Sequence, residues 1–462
     1  MITGYLTFEE NEYTFIYDDN AFLTLVSKRE NEYYFGRSAS FLSKPRPHMQ
    51  ERLCGITSDN QSICFLKCRL TKFSWNYSCN YKWRPAAYII SKNNLSNQES
   101  GLFHAVNFKG GIVNGFYPPH ISINREETRY DSNGTTIISL KPFSETTRNI
   151  KFRADNENLD IQFSISVPGM KQSDTIELGT IISAMKIEFV EAKSVGDVID
   201  IYSYWHSVFS FLNFNKGVSF GEVSLLFKHR DGSYEPRWSF HITRSENLTS
   251  SSNMAKAINL ECFSDEQFIS LVKAVTNKGF YNLFIPQNKN EMYVVDPHKY
   301  LACCASFESM YKSLYVPLNE ANDDFNYVRE KLTEVLLSID KEFKGKNGAR
   351  RQYAERFKET IERESYSLAE QFRKTLKEYT DIIHSIIANA RGLNPDTQEN
   401  ENQMAEKFSN HRNRLAHGDY HVFENIHIAA YLIARAIIYV MVFKKAGLDD
   451  AAIKELVNTL FL

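Results

Sequence analysis

At 462 residues the chain is too long for one typical domain, and a hydrophobic content of 43% with 13% aromatics is ample for packed cores. A formal net charge of -2, with both signs spread along the chain, excludes a globally basic nucleic-acid coat but leaves room for a local basic pocket. Seven cysteines, an odd number that includes the adjacent Cys303–Cys304, argue against a secreted disulfide framework.

The chain starts MITGYLTFEENEY, without the basic-then-apolar pattern of a secretory leader, so a cytoplasmic location is expected. The first ~190 residues read as strands. TTIISLKPF (135–143), LDIQFSISV (159–167) and MKIEFVEA (185–192) are rich in β-branched and aromatic residues, and Gly, Asn and Pro clusters such as FKGGIVNGFYPPH (108–120) separate them. Ile161, Phe163, Ile165 and Val167 alternate with Gln162, Ser164 and Ser166, the pattern of a half-buried strand. Repeated short strands with turn signals suggest a sandwich or barrel-like sheet.

Four cysteines in this region, Cys54, Cys64, Cys68 and Cys79, lie within 26 residues. Their spacing lacks the close pairs of a zinc ribbon, and Cys64, Leu66, Cys68 and Leu70 share one strand face. Small buried hydrophobes are the expectation, with zinc ligands as the alternative.

In 195–214 the rhythm changes. Val198, Ile201, Tyr202, Trp205, Val208, Phe209 and Leu212 recur every three or four residues, which predicts an amphipathic helix ended near Gly217. His206 on it and His241 on a later strand are each isolated from other ligand-type residues and read as structural. Strands at 223–229 and 237–243 flank the turn RDGSYEP, and a helix at 264–277 closes a first domain, 1–290, β-rich with added helices.

From Pro297 the pattern is wholly helical, with helices expected near 298–315, 321–344, 350–391 (with a break), 400–417, 424–446 and 449–461. Short connections suit an antiparallel bundle over 297–462. The stretch 426–443, IHIAAYLIARAIIYVMVF, is long enough to span a bilayer. It contains His427 and Arg435, which favours a buried bundle helix, and no membrane partner is expected. The fold class is therefore α+β and multidomain. No Gly-rich phosphate loop, HExxH or GxSxG elbow occurs.

The chemistry-bearing stretch is HRNRLAHG, 411–418. With 23 Arg and 12 His in the chain, chance alone supplies about 0.6 Arg-x4-His pairs, so the bare spacing means little. Its setting means more. It closes a predicted helix, with Gly418 where a helix-terminating glycine belongs. Asn413 and His417, four apart, share a helix face that the long Arg412 can reach. Such a set fits RNA cleavage without a metal or cofactor: a base activates the 2′-OH, a fixed cation stabilises the phosphoryl oxygens, and an acid protonates the leaving 5′-oxygen. His417 suits acid or base, Arg412 a bidentate phosphate clamp and Asn413 an orienting amide. Two copies meeting along this helix would bring two such sets into one cleft, which argues for a dimer. The plain alternative is a solvated helix end whose cations complement the dipole.

FSNHRNRLAHG, 408–418, resembles the Arg-Asn-x-x-x-His signature of the HEPN ribonucleases. HKYLACCASFESMYKSLY is similar to the first helix of their ApeA-like branch, and YWHSVFSFLNFNKGVSF (204–220) resembles the ApeA-type N-terminal domain. This resemblance implies a bacterial anti-phage protein acting by abortive infection. It implies a metal-independent endoribonuclease domain that dimerises through the HEPN bundle, and an N-terminal domain that regulates it or senses a phage-derived trigger. Arg412, Asn413 and His417 then match the catalytic motif, and Glu308 is the candidate acidic residue from an earlier helix. His411 and Arg414 would contact RNA phosphates. Arg414 with His421 forms the six-spaced variant of the motif that some HEPN proteins tolerate; the first pair is preferred because Asn413 follows Arg412 and Gly418 follows His417, and Arg414 and His421 are then assigned to RNA contact. A rival reading is a non-catalytic helical scaffold whose β-rich domain binds a protein or glycan.

Overall fold

The N-terminal strands form where the alternation lies. In β12 (Glu157–Ser166), Ile161, Phe163 and Ile165 are buried and the residues between them are half-exposed, while Val167 lies outside the described residues. The computed structural model describes residues 1–27, 48–75, 79–91, 101–130, 136–154, 157–166, 181–243, 258–277, 280, 282–315, 323–342, 352–353, 356–357, 367–393, 401–419 and 422–462. They divide into two compact units, Met1–Asp265 and Glu266–Leu462.

In the first unit, β1 (Ile2–Phe8), β2 (Asn11–Tyr17), β3 (Leu23–Ser27), β4 (Met49–Thr57), β5 (Ser62–Trp75) and β6 (Cys79–Arg84) pair antiparallel in a ring that closes between β5 and β6. This six-stranded barrel resolves the sandwich-or-barrel alternative. β5 makes the closure possible because its two halves have different neighbours: Ser62–Leu66 pairs with β7 (Ala87–Ser91), and Arg69–Trp75 pairs with β6. Between them Lys67 adopts φ 47°, an uncommon left-handed conformation for a non-glycine residue, at the point where the strand changes partners. From β7 the sheet runs outward through β15 (Tyr234–Ile242), β14 (Glu222–Lys228), β8 (Leu102–Lys109) and β13 (Ile182–Ser194) to β12 and β11 (Arg148–Ala154). A separate hairpin joins β9 (Ile123–Tyr130) and β10 (Thr136–Leu140). The 108–120 stretch, read as a turn cluster, holds a short helix, α1 (Ile112–Phe116).

Aromatic rings fill the barrel. Phe65 is fully buried, 5.5 Å from Phe15 and 5.3 Å from Tyr17 between ring centroids. Phe65→Ala removes a side chain that this closed ring cannot collapse onto, so the N-terminal unit is expected to lose about 3–5 kcal/mol. A lower urea midpoint for the β-rich transition checks this; an unchanged midpoint would mean that the barrel is not packed as described.

Register also corrects the cysteine expectation. Cys54 and Cys64 face each other across β4 and β5 and form a disulfide. Two members of the suggested four-thiolate set are thereby used up. Cys68 is buried and free, its thiol pushed up to about 12 by burial, and the Cys79 side chain lies outside the described residues.

The predicted amphipathic helix is α2 (Val198–Leu212), with Val198, Tyr202, Trp205, Val208, Phe209 and Leu212 buried. Its aromatics meet Phe108 of β8, Phe116 of α1 and Phe220.

The second unit is helical: α3 (Asp265–Val275), α4 (Pro297–Tyr315), α5 (Asp323–Glu342), α6 (Leu368–Leu393), α7 (Glu401–Ala416), α8 (Asn425–Lys445) and α9 (Asp450–Phe461). Helix α3, expected to close the first domain, groups with this unit apart from its first residue, and Gln267 donates a hydrogen bond to the Gly447 carbonyl (2.9 Å). Most of the helix expected at 350–367 lies outside the described residues. Helix α8 is long and apolar enough to cross a membrane, with a mean hydropathy of 2.0, and 94% of that window is buried. It packs against α4, α6, α7 and α9, which explains why it is apolar on every side.

Candidate active site

Helix α7 buries one stripe, Met404, Ala405, Phe408, His411 and Leu415. Phe408 anchors it against Phe372 (4.8 Å) and Tyr300 (5.4 Å). This spacing fixes the roll of the helix and turns positions 412, 413 and 417 toward the surface.

The helix ends as its sequence predicts. Gly418 sits at φ 79°, a conformation that costs an L side chain energy and glycine little. The Gly418 N–H donates to the Leu415 carbonyl (3.1 Å) and the Asp419 N–H to the Arg414 carbonyl (3.0 Å). This bond pair is the Schellman termination, and it makes His417 the cap residue. The His417 N–H still bonds back to the Asn413 carbonyl (3.1 Å), so the two side chains stand one above the other.

Three of the four residues assigned to catalysis meet, and the fourth, His417, follows one helical turn on. Arg412 Nη2 lies 3.6 Å from Glu308 Oε2 on α4, and Arg412 Nη1 donates to Asn413 Oδ1 (3.1 Å). The Arg412 and Glu308 side chains are 36% and 26% exposed, while Asn413 and His417 are open to solvent. The result is a guanidinium steadied by a carboxylate and an amide, with an imidazole one helical turn beyond. A guanidinium can clamp a phosphodiester through two oxygens, and an exposed imidazole can exchange a proton with it.

The residues assigned to RNA contact fare differently. Arg414 is exposed, its Nε 3.2 Å from Asp419 Oδ2. His421 lies outside the described residues. The assignment of His411 is corrected: it is 1% exposed and faces the core, so it does not present its ring to RNA. Its ring stacks on His427 of α8 at 4.1 Å, with Phe423 at 4.7 Å and Tyr300 at 5.0 Å edge-on. The cause was readable, because position 411 continues the 404–408–415 stripe; the basic company of Arg412 and Arg414 obscured it.

Behind the site, Lys407 of α7 pairs with Glu424 at the start of α8 (3.3 Å). That hydrogen bond holds the Glu424 carboxyl below the usual carboxylate range. The Glu424 N–H donates to His427 Nδ1 (3.1 Å), which leaves the proton of the neutral ring on Nε2. His427 entered the sequence reading only as an argument against a membrane span, so this second histidine behind the site was missed.

In the β-rich unit, the His206 Nε2–H donates to the Val218 carbonyl (3.0 Å), and His241 stacks on Tyr88 at 4.7 Å. Both read as structural, as expected from their isolation. Burial lowers the His241 pKa, and burial with Lys228 and Arg237 lowers that of His104. An unfolded histidine takes up a proton below about pH 6.5, whereas these two resist it when folded. Stability is therefore expected to fall as pH drops from 7.5 to 5.5. A His241→Asn variant should show a shallower fall in Tm over that range; an equal slope would remove His241 from the account.

Among the described residues, no three His, Cys, Asp or Glu side chains gather as a metal-binding group. No protein-family model, curated protein or solved structure matches this chain.

Proposed function

We propose that the helical unit is a metal-independent endoribonuclease of the HEPN type, and that the whole chain is an ApeA-like bacterial protein that cuts RNA during phage infection. The observation that carries this reading is the convergence of Glu308, Arg412 and Asn413 with His417 one turn away at a Schellman-capped helix end. Arg412 clamps the scissile phosphate, Asn413 orients the guanidinium and His417 transfers a proton. Cleavage by 2′-OH attack needs both a base and an acid. Among the described residues one chain offers one exposed imidazole in this patch, that of His417, and in this reading a second copy supplies the other, so that the working enzyme is a cytoplasmic homodimer through the helical unit. The β-rich unit holds the nuclease quiet until a phage-derived trigger arrives.

The scaffold reading draws on one observation: Arg412 is already engaged by Glu308 and Asn413, as a surface ion pair would be. Incubation of the purified full chain with single-stranded RNA in excess EDTA, with and without infected-cell lysate, separates the two. The nuclease reading predicts cleavage; RNA left intact in both mixtures supports the scaffold.

A further inference from the structure

Cys54 and Cys64 stand directly opposite each other on the β4–β5 hairpin and are joined by a disulfide across a sequence separation of 10. The hairpin does not depend on that bond. Its turn is closed by the Thr57 N–H on the Gln61 carbonyl (2.8 Å) and by the Gln61 N–H on Thr57 Oγ1 (3.0 Å). Strand pairing continues through Leu53–Phe65 and Gly55–Ile63 on either side of the cysteines. A crosslink over so short a loop also restricts the unfolded chain least. The two cysteines therefore stay face to face whether or not they are bonded.

Their access to solvent differs. Cys54 shares with Arg52 and Ile56 the exposed face of β4, whereas Cys64 is 3% exposed. Exchange begins when a thiolate reaches a disulfide sulfur, so an exposed sulfur is open to attack from solution and a buried one is shielded. Cys68, in the barrel core and with its thiol kept protonated by burial, is an unreactive reference on the same strand.

We propose that Cys54 is a reversible exchange site for low-molecular-weight thiols and disulfides, with Cys64 as its resolving partner. In the opening direction a small thiolate attacks Cys54 Sγ. The Cys54–Cys64 bond breaks, its electron pair goes to Cys64 Sγ, which takes up a proton, and Cys54 is left carrying the small thiol as a mixed disulfide. A second thiolate attacks the outer sulfur of that mixed disulfide, releasing the small-molecule disulfide and leaving Cys54 to take up a proton. The protein gains two electrons and two protons while two small thiols become one disulfide. Closing is the reverse, with the Cys64 thiolate displacing the small thiol from Cys54. Both cysteines belong to the first unit, so the assignment is independent of the nuclease reading.

Glutathione is the probe. The full chain is equilibrated without oxygen at graded ratios of reduced to oxidised glutathione, then quenched in acid, alkylated and mapped by mass spectrometry, with circular dichroism recorded on the same samples. The Cys54–Cys64 disulfide should give way to two thiols as reduced glutathione rises and return when the ratio is reversed, with the β-sheet signal unchanged and Cys68 unmodified throughout. In Cys64→Ala, oxidised glutathione should leave Cys54 held as the mixed disulfide. In Cys54→Ala, Cys64 should be modified at least about 10-fold more slowly than that Cys54. If Cys64→Ala does not fold, the titration of the unaltered chain decides alone. The proposal is overturned if the disulfide opens only where the β-sheet signal is lost, if Cys54 takes up no glutathione in Cys64→Ala, or if Cys64 reacts as fast as Cys54.

Discussion

His417→Ala is expected to reduce RNA cleavage about 1000-fold or more while leaving the protein folded, since a positioned acid or base contributes roughly 10²–10⁴-fold. The side chain is exposed and caps the helix through its backbone, so its loss should shift stability by no more than about 0.5 kcal/mol. Rate and melting temperature measured on the same preparation separate chemistry from folding. Wild-type cleavage by the variant would remove His417 from the mechanism.

Arg412→Lys is the second large effect. Lysine keeps the charge but not the planar fork, so it cannot hold two phosphoryl oxygens at once. A loss of about 100-fold is expected, in the range seen when one oxyanion-stabilising donor is removed. Arg414→Ala is the control, because Arg414 belongs to the competing six-spaced pair and is occupied with Asp419 at 3.2 Å. If Arg414→Ala proved worse than Arg412→Lys, the catalytic pair would have to be reassigned to Arg414 and His421.

Legibility in the sequence followed the range of the forces involved. Local periodicity predicted α2 from its Tyr202–Trp205–Phe209 stripe and β12 from its alternation, and both formed within a few residues of the expected bounds. The end of α7 was equally local, because a glycine after the cap residue carries the whole termination signal. Long-range register was not legible. Nothing near Cys54 or Cys64 announces that they face each other across β4 and β5, and the odd cysteine count pointed away from a disulfide. Barrel closure depends on β5 changing partners at Lys67, which no short window contains.

The candidate site was legible in its residues and less so in its layers. Glu308 lies more than 100 positions before Arg412, and its contact with the guanidinium depends on α4 and α7 packing side by side. His411 was misread because two signals conflicted at one position: a charged neighbourhood suggested surface, and the apolar stripe of α7 dictated core. Packing decided, as the stack on His427 shows. Grouping every cation of HRNRLAH into one phosphate site overlooked that a helix has two sides.

The most direct measurement of the central claim is the chemistry of the RNA ends left by the full-length protein in excess EDTA. Attack by the neighbouring 2′-OH leaves a 2′,3′-cyclic phosphate or its hydrolysed monophosphate on one fragment and a 5′-hydroxyl on the other. The account predicts those ends, and no cleavage at all once the 2′-OH at the scission site is replaced by hydrogen. Fragments bearing 5′-phosphate and 3′-hydroxyl, or undiminished cutting of the 2′-deoxy substrate, would contradict it.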